Sequence, residues 1–239
     1  FPDLFDGDIQ AQVSAIEAGC AWFEDLASTF GWSRVLEAGS SVRERSGAAL
    51  VKARSELRDG TYVRRDRLDD GGLSDTFLPL EVEAEISDGC FGLNFSRSAE
   101  SSSGPTNCTK QSVYAASLCG IRQIFPEVPA CAFAIDDLEI RVPSGSLLDA
   151  VYPTPVGGTS VVLAERVASL VLEALSLAVH GRGRACDGGG GNTVVFEGIQ
   201  GGRPFSARLV VGSGGGASGR GDGLGNTDPI THLSALPSL

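Results

Sequence analysis

From Asp8 to Phe30 the apolar residues Ile9, Val13, Ile16, Cys20, Phe23 and Phe30 recur at steps of three, four and seven, which predicts an amphipathic helix closed by Gly31. Ser33 stands where a cap is needed for a second helix to about Leu57. In it Val35, Leu36, Val42, Leu50 and Leu57 are expected to face inward while Arg43, Glu44, Arg45, Lys52 and Glu56 stay in water. Together these make a helical hairpin over residues 1–58, whose basic face is either solvated or docked on a partner.

After Asp59-Gly60 the period changes to two. Leu78, Leu80, Val82, Ala84 and Ile86 alternate with Glu81, Glu83 and Glu85, Asp88-Gly89 offers a turn, and Phe91, Leu93 and Phe95 resume the alternation. This predicts an antiparallel hairpin with the glutamates on its wet face, in a register that a one-residue slip would ruin. Three carboxylates so spaced on an open strand repel one another into water and make a poor acid/base pair. Asn107 is placed to cap a helix over Cys108 to Phe125 that Pro126 ends, and Phe133 to Val142 reads as a strand. Ser160 opens the most apolar helix, to Val179, whose Val162, Leu163, Val167, Leu170, Val171 and Leu175 cover most of its circumference and put it at the centre of the core. The fold class is therefore α+β: the N-terminal helical hairpin, then, over 59–239, an antiparallel β-hairpin or sheet packed with two further helices, with glycine-rich β loops at the C-terminal end.

That end, Gly181 to Gly225, holds more than half of the 32 glycines, interrupted by two β-like runs, Asn192 to Glu197 and Arg203 to Val211. Loops without a Cβ either admit a ligand or another backbone at close range or act as slack connections, and spacing alone leaves both open.

Composition narrows the classes. At 239 residues and 42% apolar content the chain can bury one large core or two modest ones, and a net charge of −11 argues against nucleic acid or an anionic membrane as partner. The longest apolar run, Val167 to Val179, is too short to span a bilayer, and no basic-then-apolar leader opens the sequence, so a cytoplasmic protein is expected. Six cysteines without a Cys-x-x-Cys pair, beside two histidines, read as reduced buried thiols and exclude zinc-site spacing. The absence of any methionine leads us to expect a piece of a longer product. Gly212 to Gly223 lacks the Gly-Lys-Ser/Thr ending of a phosphate loop, and no strand-Gly-x-Gly-x-x-Gly-helix unit is present. His180 reads as a helix C-terminal cap, whereas His232, in Thr231-His-Leu after Asp228-Pro229, is a candidate site residue.

The ordered set of local patterns is more specific than any one of them. Asp59-Gly-Thr-Tyr62, Leu68-Asp-Asp-Gly-Gly72, Leu93-Asn-Phe-Ser96, Gly104-Pro-Thr-Asn107, Val142-Pro-Ser-Gly-Ser-Leu147, Val156-Gly-Gly158, Arg203-Pro-Phe, Gly214-Gly-Gly and Arg220-Gly-Asp-Gly223 together resemble the hydantoinase B family, which includes the matching parts of 5-oxoprolinase and of acetone and acetophenone carboxylases. The resemblance implies ATP-dependent chemistry in a multi-subunit enzyme that opens cyclic amides or carboxylates ketones with bicarbonate. Its metal-holding His and Asp pairs belong to an N-terminal half, and no His-x-x-Asp or His-His-x-Asp pattern exists here, so the chain resembles the C-terminal half only. The family's Arg-Asn-Thr-Pro run after a His-Met is replaced by His232-Leu-Ser-Ala-Leu-Pro237.

The resemblance therefore implies no cofactor bound by this chain alone, with ATP on a hydantoinase A-like nucleotide-binding subunit and a divalent metal on a hydantoinase B-like chain. The function expected is a subunit of an acetone or acetophenone carboxylase type of complex, scaffolding or completing an active site carried by its partners. The alternatives are a subunit or fragment of a hydantoinase or 5-oxoprolinase amidohydrolase, and a non-catalytic assembly subunit. No catalytic residue or metal ligand is assigned; Asn107, Arg220, Asp222 and His232 are the candidates for a place near the site or at an interface.

Overall fold

The computed structural model describes residues 2–73, 75–87, 90–135 and 138–225. The chain divides into two units, residues 1–45 and 46–239.

The first unit holds α1 (Pro2–Phe30) and the start of α2 (Trp32–Arg54). One residue separates them: Gly31, at φ 82°, donates to Ala27 O at 2.8 Å to close α1, and accepts from Val35 N at 3.3 Å to open α2. The predicted apolar spacing is there, but Ile9, Val13, Ile16, Phe23 and Phe30 stay exposed, as do Leu36 and Val42, which were expected to face inward. In the second unit α2 buries Leu50 and Ala53, then stops at Arg54. Leu57 leaves the helix and bridges Val179 instead.

The second unit is built on a four-stranded sheet, β1 (Gly60–Leu68), β2 (Leu78–Ser87), β3 (Cys90–Asn94) and β4 (Glu139–Arg141), in that spatial order. The predicted hairpin is β2–β3, antiparallel from Glu83↔Asn94 to Ser87↔Cys90, and its turn at Asp88-Gly89 lies outside the described residues. β4 runs parallel to β3. The span read as a strand from Phe133 is a 3-10 turn over Ala132–Ile135 followed by this three-residue strand.

β1 carries no apolar alternation that would announce it. It pairs with β2 without a break from Gly60↔Ile86 to Leu68↔Leu78, setting Arg65 opposite Glu81. That register overturns one expectation: Glu81 is buried, with Arg65 Nε at 2.5 Å, Arg97 Nη1 at 3.4 Å and Ser98 Oγ bonded to its backbone, while Glu85 stays exposed as expected. A carboxylate off the wet face is tolerated because two guanidiniums accompany it.

α3 (Lys110–Ile124) and α4 (Ala164–Ala178) pack on each other, and α4 also packs on β1 and β2. As predicted, α4 is central: Val167, Leu170, Val171, Leu172 and Leu175 are buried around its circumference, each contributing roughly 1.5–3 kcal/mol of hydrophobic transfer. Gly120 permits the α3–α4 approach, since a Cβ there would sit 2.6 Å from Ala168 O. The chain enters α4 through a π-helical turn, Thr159–Leu163. β5 (Asn192–Gln200) and β6 (Arg203–Val211) form a separate antiparallel hairpin. Gly201 and Gly202, at φ 59° and 78°, make the two-residue turn between Gln200 and Arg203. Among the described residues no helix is long and apolar enough to cross a membrane.

Candidate functional site

The glycine-rich segment is tightly packed. A Cβ at Gly216 would lie 1.9 Å from Ala185 O, one at Gly223 1.9 Å from Gly215 O, and one at Gly188 2.5 Å from Ser213 Cβ. The two glycine-rich stretches meet through backbone bonds, Ala185 N to Ala217 O at 2.8 Å and Gly188 N to Gly214 O at 3.3 Å. Of the two roles glycine can take here, close approach is the one realised.

These loops wall a cavity of about 530 Å³ against the C-terminal end of α3. Its charged lining is Arg182, Arg184, Arg220, Glu127 and Asp222, so the structure brings together two of the predicted site residues, Arg220 and Asp222. Arg182 and Arg184 were not singled out: in the sequence they are two of four alternating residues in Gly-Arg-Gly-Arg, and only the fold turns them toward the later glycine run. Arg182 is fully engaged, with Glu56 and Glu127 each 3.0 Å away and Phe125 beneath its guanidinium at 5.3 Å. Its partner Glu127 has its carboxyl held below the usual glutamate range, first by its own backbone N–H and then by Arg182. Among the described residues no histidine or cysteine lines the cavity; its hydroxyl is that of Ser218 and its carboxylates are those of Glu127 and Asp222.

Asn107 lies elsewhere. It does not cap α3; Thr109 does, its Oγ1 accepting from Ser112 N. Asn107 is fully buried and ties its own loop to the one holding Pro155: its Nδ2 donates to Ser102 O at 3.0 Å, Gly104 O at 2.8 Å and Pro155 O at 2.9 Å, and its Oδ1 accepts from Ser102 N at 2.8 Å. Around it Gly158 N donates to Pro105 O at 2.9 Å, and Cβ atoms at Gly104 or Gly72 would meet Gly71 O at 1.7 Å or Pro105 Cδ at 2.9 Å. The patterns beginning at Leu68, Gly104 and Val156, distant in sequence, thus converge in one junction. His232 falls outside the described residues.

Of the thiols expected to be buried, Cys20 is exposed and Cys108 is buried. Burial first, then the nearby Asp149 carboxylate, pushes the Cys108 thiol up to about 12. Burial followed by hydrogen bonding to Glu173 takes Cys186 to about 12 as well. Among the described residues no group of three or more His, Cys, Asp and Glu is arranged to hold a metal ion.

A mixed sheet backed by a buried helix, with glycine-closed loops walling an arginine-lined cavity, defines an α+β fold. The profile of the hydantoinase B/oxoprolinase family matches residues 1–236, and the chain belongs to that family. It is similar to 5-oxoprolinase 1 of Arabidopsis thaliana, 26% identical over 204 residues, which cover 79% of this chain and 15% of that protein. Among solved structures it resembles the ATP-dependent caprolactamase of Pseudomonas jessenii, with a TM-score of 0.79 at 21% identity, covering 97% of this chain and 42% of the other. It also resembles an ATP-dependent acetone carboxylase, with a TM-score of 0.76 at 16% identity, covering 90% and 31% respectively. The chain therefore spans less than half the length of each of these proteins.

Proposed function

We propose that the chain is a part of an ATP-dependent enzyme that opens cyclic amides. In it the chain completes an active site whose nucleotide and divalent metal are carried by a hydantoinase A-like subunit and a metal-bearing hydantoinase B-like chain. The observation that carries the reading is the match to the hydantoinase B/oxoprolinase profile along 1–236, joined by similarity to a 5-oxoprolinase over 79% of the chain. The cavity supports a binding role, because its lining sets the guanidiniums of Arg182, Arg184 and Arg220 beside the carboxylates of Glu127 and Asp222. In such an enzyme the chain's own contribution is to bind and orient; activation by ATP is supplied next door. This reading retains the cytoplasmic site of action expected from the sequence.

Ketone carboxylation with bicarbonate, of the acetone or acetophenone type, is the second reading, favoured by a fold likeness to acetone carboxylase that extends over 90% of the chain. The complex isolated through this chain separates the two. ATP hydrolysis stimulated by a hydantoin or by 5-oxoproline, and indifferent to ketone plus bicarbonate, is the expected result. Stimulation by ketone plus bicarbonate alone would establish the second reading, and a chain that brings down no nucleotide-binding partner would sink both.

A further inference from the structure

Three arginines line the cavity between α3 and the glycine-rich loops, and only Arg182 is fully spent on the protein. Arg184 gives the chain one long side-chain hydrogen bond, Nη2 to Gly216 O at 3.4 Å, and its buried Nε has no acceptor. The Arg220 side chain makes no bond among the described residues; only its backbone is held, by Ser218 Oγ at 3.2 Å.

The backbone keeps these two cations in register. Ser218 bridges Arg184 on one side and Gly221 on the other, so both arginines leave the same short ladder. Ser218 and Gly221 exchange backbone hydrogen bonds of 2.9 and 3.1 Å, fixing the tip on which Arg220 sits. A guanidinium presents paired N–H donors that match two oxygens of a planar oxyanion. Ile124, Pro126 and Leu224 add apolar wall, and Asp222 adds an acceptor.

We propose that this cavity binds a small carboxylate, received by Arg220 and Arg184, with Asp222 accepting from an N–H on the same molecule. Charge favours a monoanion: with Arg182 held by Glu56 and Glu127, the three arginines are balanced by three carboxylates once Asp222 is counted, which suits a carboxylate better than dianionic phosphate. The inference rests on the proposed function only for the carboxylate's origin, since opening a cyclic amide and carboxylating a ketone both leave one.

Titration calorimetry of the full chain tests it, with 4-aminobutyrate, butylamine and inorganic phosphate as separate probes at constant ionic strength. Saturable binding of 4-aminobutyrate, little of butylamine or phosphate, and a loss of about tenfold or more in Arg220→Gln are expected. The Arg220 side chain makes no bond among the described residues, so that variant is expected to keep the fold, which its far-ultraviolet circular dichroism checks. Asp222→Asn should weaken 4-aminobutyrate while leaving butyrate binding intact. Absence of saturable binding, tighter binding of phosphate, or wild-type affinity in Arg220→Gln would each overturn the assignment. Because the readout needs no ATP turnover, its failure and that of the proposed reaction are told apart.

Discussion

Asn107 meets four backbone groups from a position with no solvent, and its neighbours are glycines with no room for a methyl group. Removing the amide strands Gly104 O, which is buried, at roughly 1–3 kcal/mol and takes away three part-buried bonds to Ser102 and Pro155, so Asn107→Ala should lower unfolding free energy by about 2 kcal/mol or more in denaturant titration. Gly104→Ala should be of the same order, because the new Cβ would overlap Gly71 O, whereas Gly157→Ala, whose Cβ meets only Pro105 Cβ at 3.8 Å, should change stability by less than about 1 kcal/mol. Equal effects at the two glycines would refute the crowded junction. The thiols give a pH signature. Cys108 and Cys186 move from 9.0 to about 12 on folding, so the folded state holds those protons more tightly. The stability they contribute is complete below pH 9.0 and is lost as pH rises toward about 12. Denaturant midpoints should fall over that range and fall less steeply in Cys108→Ala; a midpoint insensitive to pH there would contradict the burial.

At the scale of elements, what the sequence disclosed depended on how local the cause was. The period-two run from Leu78 and the all-round apolar helix after Ser160 declare themselves because each buries a face or a circumference that its own residues define. β1 stayed hidden because Thr61 to Arg67 is mostly polar and charged; it is a strand through its pairing with β2 and the Arg65–Glu81 contact, information held by another segment. The same nonlocality misplaced the cap of α3: Asn107 has the right side chain one short step too early, and the fold uses it to join loops contributed by Ser102 and Pro155. In the candidate site Arg220 and Asp222 were legible through an ordered motif, while Arg182 and Arg184 became visible only when the turn after α4 carried them to the cavity. The register of motifs along the chain held more site information than any local pattern, because it records which loops must meet.

For the molecule as a whole the excess of bare apolar surface sets the agenda. Monomers seldom leave such faces open, yet α1 exposes Phe5, Ile16, Trp22 and Phe23, and the β5–β6 hairpin, a two-stranded unit that is marginal unaided, exposes Phe196 and Ile199. On the proposed function these faces are covered by the neighbouring chains. Of the protein's two tryptophans, Trp22, 63% exposed, lies on α1 and reports on the first of them, while Trp32, 56% exposed, opens α2. The full chain alone should therefore emit as indoles do in water. Assembly with a nucleotide-binding subunit and a metal-carrying chain should move that emission to the blue and shield it from an aqueous quencher, and Trp22→Phe should remove most of the shift if the α1 face is the one buried. Emission that stays water-like in an ATP-hydrolysing complex would show that partners are recruited elsewhere, and would leave the arginine cavity to be tested on its own.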